Sequence, residues 1–472
     1  GKVARTVTGK GNEKLEWYTW DLRRLQGKTA KLQIVDTNRS GWGHINIDHI
    51  VASSSPRATP RGDPELEAKL IAKQRQTVLG RLTELGVKDI AFAIRRSDPD
   101  GHWYANFSYW SNNPDRKLYH PGGWLCRMNL ASGEVKTLID DPKGGVRDPQ
   151  VHYGGTKMVL SYRPGDSPFY HLYEINVDGS GLRQLTDGPY DDLEPAYLPD
   201  GGIVFTSSRC NRMVNCYFVR VATIHRCDSD GSNIRELSSN IEQDNTPWIM
   251  PDGRILHQRW EYIDRSQVWY HHLWTMNPDG TNQMVYYGNQ QTSTVMLDAK
   301  PIPGTQKVVA SFSPGHGRNE HEGKVTIVDP ALGPDRRSSA RSLAATLYRD
   351  PYPLSEDLFL VSCNQQIGTL DSDGIYTPLY SLPADRRSPD GRMKAQEPRP
   401  IRPRPREHVI PRRVNLASGT GTLALEDIYT GRNMAGIKRG EIKELLVLEA
   451  LPKPVNFSGG WEPISFGGTF TL

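Results

Sequence analysis

Cysteine is scarce in this chain, five in 472 residues, which excludes a small scaffold built on disulfides. Cys210, Cys216 and Cys227 fall in one loop and the strand after it, so one disulfide among them and three free thiols are both open readings. Long apolar runs are absent too: nothing approaches the roughly 18 consecutive apolar residues of a spanning helix. Nor does one sign of charge dominate. The 58 Lys and Arg nearly balance the 54 Asp and Glu, for a net charge of +4, so nothing global points to nucleic acid or a membrane surface. No Cys-x-x-Cys-His, His-Glu-x-x-His or paired Cys-x-x-Cys occurs, and "GHGRNEH" holds neither a nucleophile elbow nor a phosphate loop. No leader peptide is visible; the chain starts at Gly1 inside an apparent strand, so any signal would lie upstream.

What the chain does have is glycine, 44 residues of it, and repetition. Residues 171–209 read "HLYEINVDGSGLRQLTDGPYDDLEPAYLPDGGIVFTSSR", and close variants begin again at Ile224 and His272. Each copy runs from an alternating strand to an Asp-Gly turn, a short strand, a polar crossing, an acid or Thr near a Pro, and two more strands around a second tight turn. Asp-Gly between alternating runs is a strong hairpin signal, because both residues tolerate positive φ. The acid or Thr markers are Asp148, Glu194, Thr246, Asp298, Asp350 and Glu397, spaced by 46, 52, 52, 52 and 47 residues. Four short strands at that period predict an all-β fold, a β-propeller, since one such unit must bury its faces against neighbours around an axis.

Six markers predict six innermost strands. "DIAFAIRR" (89–96) and "WLCRMNLASGEVKTLI" (124–139) read as a blade lacking its own first strand, and the C-terminal "WEPISFGGTFTL" repeats the marker as Glu462-Pro463. The count of four-stranded blades therefore leans to seven, with six if the irregular stretch after 397 is no blade. Residues 1–54 read as a partial β-sandwich segment. Residues 55–87 read as a linker followed by an amphipathic helix over Pro64–Leu85, with Leu66, Leu70, Ile71, Val78, Leu79 and Leu82 on one face and Gly86 as its stop. Residues 88–472 are then the propeller, with an irregular basic excursion at 385–415. Within it, "EPRPIRPRPREHVIPRR" alternates Pro and Arg, which excludes helix and central strand; it reads as an ordered excursion or as a docking strip.

In a propeller the innermost strands begin on the face where the second strands end. Second strands here end in Arg95-Arg96, Arg163, Arg209 and Arg259, beside Asp148, Asp191, Asp192, Glu194, Asp244 and Asp298. Such a ring serves either as ion pairing from blade to blade or as a site for an anionic ligand, because Arg forks bind carboxylates bidentately; Arg163, Arg209, Arg259, Arg318 and Asp244 are the ligand-binding candidates. Histidines gather similarly. His257, His271, His272, His316 and His321 are candidate ligands for Zn or Mn, and Ca is a further open choice. The bland alternative is strand or surface histidines bonded to backbone.

Three resemblances add to this. The blade sequences look like the Asp-Gly-rich repeats of the TolB family of propellers. "GWGHINIDHI", within Leu15–Ser53, resembles the closing strands of the C-terminal β-sandwich of family 32 glycoside hydrolases, which implies carbohydrate as a partner. The run "VRDPQVHYGG…DDLEPAYLPDGGIVFTSSRCNRMVNC…DNTPWIMPDGRILHQRWEYIDRSQV…HHLWTMNPDG…DAKPIPGTQKVVASFSPGHGRNEHEG" looks like the middle propeller domain of hydrazine synthase alpha subunit-like proteins of planctomycete-type bacteria. That resemblance covers roughly residues 88–472. It implies a periplasmic or secreted setting, a following domain with c-type haem on Cys-x-x-Cys-His motifs, and a partner role for that haem-bearing domain or a cytochrome-like protein. It also implies that Cys210, in "SSRCN", lies toward the haem. No cofactor is certain from the chain itself.

The expected function is thus a propeller platform that docks a haem domain and forms half of a redox site. The rival is a metal-assisted uronate lyase, like the oligogalacturonate lyases on similar propellers. There His257, Gln258, Gln267, His271, His272, His316 and His321 offer ligands, an Arg neutralises the uronate carboxylate and a His removes the α-proton. A third reading is a propeller that only binds protein.

Overall fold

The structure is a computed structural model and describes residues 18–29, 31–34, 64–97, 100–103, 119–214, 219–262, 265–266, 269–431 and 434–447. Its strands form six antiparallel units of four, the blades of a propeller. Blade one takes its inner strand, Met393–Ile401, from late in the chain and its other three, Asp89–Arg96, Gly123–Asn129 and Val135–Asp141, from early in it. Blades two to six are continuous in sequence, with inner strands Gly145–Val151, Asp192–Tyr197, Asp244–Ile249, Thr294–Pro301 and Arg349–Ser355. Blades four and five also touch through a short parallel ladder, Tyr270 to Thr294 and His271 to Val295.

The inner strands contact one another in order around the axis, and the last, Met393–Ile401, contacts both Arg349–Ser355 and Gly145–Val151, which closes the ring. Each seam between blades holds one apolar cluster, six in all. This is the physical content of the repeat: a single blade exposes two apolar faces, and only a ring buries both.

The leaning to seven blades is corrected to six among the described residues. Glu397-Pro398 already fills the place foreseen for Glu462-Pro463, because Met393–Ile401 pairs antiparallel with Asp89–Arg96. Residues 402–431 and 434–447 hold no strand. The stretch "WEPISFGGTFTL" lies outside the described residues, as does most of the expected sandwich segment; Arg23–Leu25 of that segment forms one 3-10 turn.

The helix runs over Pro64–Glu84 and ends at Gly86, whose φ of +73° a side chain would strain. It braces the side of the ring. Val78 and Leu82 join the seam between blades six and one, Gln74 bonds the Thr377 hydroxyl at 2.8 Å, and Arg81 pairs with Asp357 at 2.7 Å.

The Pro/Arg segment beyond Ile401 is an ordered strap. Arg404 N–H donates to Tyr153 O at 3.0 Å, His408 N–H to Pro251 O at 3.2 Å, and Arg413 N–H to the Asp279 carboxylate at 2.6 Å. With the Arg406 guanidinium donating to Pro199 O at 3.1 Å, the strap crosses the turns of blades two, three and four on the lower face, where the inner strands end. Alternating prolines suit this path, since an extended strap needs few backbone donors.

Candidate functional site

Every inner strand breaks register at its marker, at Asp148, Glu194, Thr246, Asp298, Asp350 or Glu397. All six markers have positive φ, between 45° and 58°. These are β-bulges, and the following Pro (Ala299 in blade five) suits them because the extra residue of a bulge leaves the ladder and needs no donor. Left-handed backbone at six non-glycine residues is costly and persists only where the surroundings fix it. Hydrogen bonds between blades do so here. Asp148 N–H donates to Glu397 Oε2 at 2.7 Å, Glu194 N–H to Asp148 Oδ2 at 3.0 Å, Thr246 N–H to Glu194 Oε2 at 2.6 Å and Asp298 N–H to Thr246 Oγ1 at 3.3 Å. Four of the six marker side chains, those of Glu397, Asp148, Glu194 and Thr246, thus hold the backbone of the next blade's marker.

The markers and their neighbours line the axial channel. Arg95 pairs with Glu397 at 2.5 Å and with Glu320; Arg147 pairs with Asp148 at 2.7 Å. Asp350 receives Lys300 and Arg399, both at 2.6 Å, and His321 Nδ1 lies 3.1 Å from Asp298. Burial opposes the charge on His321, but Asp298 and Glu194 outweigh it and raise the imidazole to about 9. Burial raises the Glu397 carboxyl to about 7 although Arg95 opposes this, with Asp148 adding to the rise. Asp350 goes the other way: burial would raise it, and Arg399 with Lys300 hold it far below the usual range. The free volume among these groups is about 40 Å³, room for a few waters and not for a sugar ring. On the lower side, Trp248 stands between Lys300 and Arg399, whose charges lie 5.1 and 5.7 Å from its ring.

The upper end of the channel is roofed. Asn319 N–H donates to Gly101 O at 3.1 Å, which ties the loop between strands Asp89–Arg96 and Gly123–Asn129 of blade one to the loop of blade five. Between them Trp103 is fully buried, its ring 5.9 Å from Trp260, 5.7 Å from His271 and 6.3 Å from His321. His316 lies 5.3 Å from His271 and 5.6 Å from His102. Cys210 packs half-buried against this group with Val214, Val219 and Val221, and burial raises its thiol above the ordinary range.

The blade-to-blade pairing expected of the arginine ring is corrected. Among the described residues Arg95 alone of these arginines reaches an acid of another blade, Glu320. Arg209 and Arg259 pair within their own blades, because each stands beside an acid of its own inner strand. Arg209 meets Asp192 at 2.7 Å and Arg259 meets Asp244 at 3.0 Å. In blade two the matching inner-strand residue is Gly145, and Arg163 lies instead 4.5 Å from the Tyr119 ring and 5.6 Å from that of Tyr170. A Cβ on Gly145 would strike the Tyr170 hydroxyl, so only glycine fits there. Arg318 is exposed on the loop of blade five.

The histidines occupy three places. His271 and His316 join the Trp103 group; His321 belongs to the channel; His257 and His272 sit in blade four, buried and pushed down to about 4 and about 3, chiefly by burial. Gln258 faces Asn245 in the ladder of blade four, and Gln267 lies outside the described residues. Among the described residues no three His, Cys, Asp or Glu side chains come together as ligands for one metal ion. Cys126, Cys210, Cys227 and Cys363 are free thiols, so no bridge joins Cys210 to Cys227; Cys216 lies outside the described residues.

Sequence reasoning missed Arg147, Glu320, Lys300 and Arg399. A periodic signal existed for two of them: the residue two after each marker (Gln150, Trp248, Lys300, Arg399) points into the channel in four blades. Glu320 had no such signal, since it arrives from a loop that turns inward through left-handed φ at Glu320 and His321, both 57°.

The comparisons agree with this architecture. No family model matches the chain. It is 23% identical to hydrazine synthase subunit alpha of Kuenenia stuttgartiensis over 302 residues, taking in 51% of this chain and 37% of that subunit. A solved structure of hydrazine synthase from Kuenenia stuttgartiensis superposes with a TM-score of 0.58 at 21% identity, over 69% of this chain and 48% of that one. TolB from Acinetobacter baumannii aligns over 67% of this chain and 69% of its own at 13% identity and a TM-score of 0.45. Over 59 residues the chain is 44% identical to a protein of Aspergillus rugulosus described as a glycosyl hydrolase, 12% of this chain and 8% of that protein. The fold is therefore that of a propeller of the kind found in hydrazine synthase alpha. The chain spans less than half the length of either curated relative it matches.

Proposed function

We propose that this propeller is a rigid platform whose upper face docks a domain bearing c-type haem, in a periplasmic or secreted setting. The observation that carries the reading is where Cys210 sits. It is half-buried at the rim of the Trp103 group, where the partly exposed His316 packs on Trp260 and the partly exposed His102 packs on His316. A sulfur and two imidazoles at the surface, backed by a buried aromatic core, suit the edge of a porphyrin held by another domain. Such a haem would supply the redox chemistry, while this chain's residues would position it and exclude water from one side. The channel beneath supports the same reading: its charges are paired and its free space is small, so it acts as a strut. The resemblance of the N-terminal segment to the closing strands of a glycoside hydrolase sandwich, beside the short match to a glycosyl hydrolase, supports carbohydrate as a second partner.

The test is optical. A soluble haem c peptide with an open axial position is titrated with the chain and the Soret band followed. A saturable shift, weakened about tenfold in Cys210→Ala and in His316→Ala, is expected. No shift at excess chain, or a shift indifferent to both variants, would overturn the reading.

A further inference from the structure

The lower face bears a feature that haem docking does not use. Arg226 and Arg235 are direct cross-strand neighbours in blade three, an arrangement of like charges that destabilises a sheet. The strap adds a third guanidinium. Its backbone is fixed on both sides of Arg412, by His408 N–H on Pro251 O at 3.2 Å and by Arg413 N–H on Asp279 at 2.6 Å. Arg226 donates to Pro278 O at 3.0 Å, next to the Asp279 that holds Arg413, so the strap at Arg412 passes beside the pair. Burial, then the charges of Arg226 and Arg412, keep the Arg235 guanidinium below its ordinary value although Asp228 and Asp200 oppose this.

The nearby carboxylates are committed elsewhere. Asp200 binds Arg226 at 2.8 Å, Asp228 takes the Asn233 amide at 2.7 Å, Asp230 takes the Ser232 hydroxyl at 2.6 Å, and Asp279 holds the strap backbone. Among the described residues no carboxylate pairs with Arg235, Arg406, Arg412 or Arg413. Arg406 is spent partly on Pro199 O, at 3.1 Å, and on the Tyr153 ring, at 4.8 Å. Arg412 and Arg413 are exposed.

We propose that the strap and the outer edge of blade three form a docking surface for an acidic stretch of a partner polypeptide. The geometry favours that occupant over a single phosphate. Beyond the group at Arg412, the arginines of the strap are spread along an extended, prolyl-stiffened segment held at Tyr153, Pro251 and Asp279, so they cannot all meet at one point. A row of carboxylates on an extended chain matches a row of forks, with two oxygens per fork. The strap is already ordered, so binding need not order it, which lowers the entropic cost of association. Nucleic acid fits less well, because Tyr153, the aromatic ring beneath the strap, is covered by Arg404 and Arg406 and offers no face for stacking.

The experiment uses the full chain and a fluorescein-labelled polyglutamate peptide, read by anisotropy at low and moderate salt. Binding that weakens with salt is expected. The triple variant Arg235→Gln/Arg412→Gln/Arg413→Gln should bind at least about tenfold more weakly. The control, Arg336→Gln/Arg337→Gln/Arg341→Gln on the outer edge of blade five, should bind like the parent. All six side chains lie at least partly exposed, and unchanged melting curves will show that both variants fold. Equal affinity of the two triple variants, or no binding by the parent chain, would overturn the proposal. So would displacement of the peptide by phosphatidylserine vesicles or duplex DNA at lower charge concentration than by unlabelled polyglutamate. Haem docking is read on the opposite face, so either result leaves that reading standing or falling by itself.

Discussion

The Glu194 carboxylate accepts a hydrogen bond from the Thr246 backbone N–H at 2.6 Å, although the two residues are 52 positions apart. They are equivalent residues of successive blades, so the sequence period and the hydrogen bond are one fact seen twice. Glu194 also accepts from the Thr206 hydroxyl at 3.1 Å and lies 3.6 Å from Arg147. Glu194→Ala leaves a buried N–H without an acceptor, and a loss of about 2–3 kcal/mol is expected. Glu194→Gln keeps an acceptor oxygen and should cost less. Urea midpoints at constant slope will separate the two; equal losses would show that the hydrogen bond to Thr246 is not what holds the bulge.

A second prediction concerns Arg95. It is 7% exposed and sits between Glu320 and Glu397, one from a loop of blade five and one from the strand that closes the ring. Arg95→Met removes the cation and leaves two buried carboxylates facing each other. A cost of about 3–5 kcal/mol is expected. It should shrink at acid pH, where those carboxylates take up protons.

How stability changes with pH follows from two groups whose folded values are raised. His321 rises from 6.5 to about 9, so its contribution is full below 6.5 and is lost as pH climbs through 9. Glu397 rises from 4.5 to about 7, so the fold binds an extra proton between those values and loses stability across that window as pH rises. Melting temperature should therefore fall from pH 6 toward pH 9.5. His321→Gln should flatten the upper part of the curve and leave the lower part in place. A parallel, merely displaced curve would contradict the assignment to His321.

The fourth prediction addresses the brace. Leu82 is fully buried between the helix and blades six and one. Leu82→Ala should cost about 2–5 kcal/mol, whereas Ile71→Ala, at a site 40% exposed, should cost little. Chemical denaturation of the two variants side by side checks this.

Much of the fold was legible because the physics behind it is local. Asp-Gly turns need positive φ, bulges recur at the same point of each blade, and helix Pro64–Glu84 carries its own stop at Gly86. The blade count was harder to read. Glu397-Pro398 and Glu462-Pro463 look alike in sequence, and only pairing with Asp89–Arg96 shows which one closes the ring. In the channel, the markers could be read as architecture, and Lys300 and Arg399 share a periodic position that pattern reasoning reaches. Glu320 and Trp103 could not be foreseen, because they come from loops whose inward course depends on contacts between blades one and five. For the same reason the histidines that share a composition do not share a site.

The central claim is that this chain is a closed ring in which late strand Met393–Ile401 completes the first blade and the acid and Thr markers are its joints. Hydrogen–deuterium exchange of the intact chain tests it most directly. The account predicts that amides in 393–401 exchange as slowly as those in 89–96 and 145–151, through one shared opening, while 415–431 exchange quickly. Rapid exchange of 393–401 beside a protected 89–96 would contradict it.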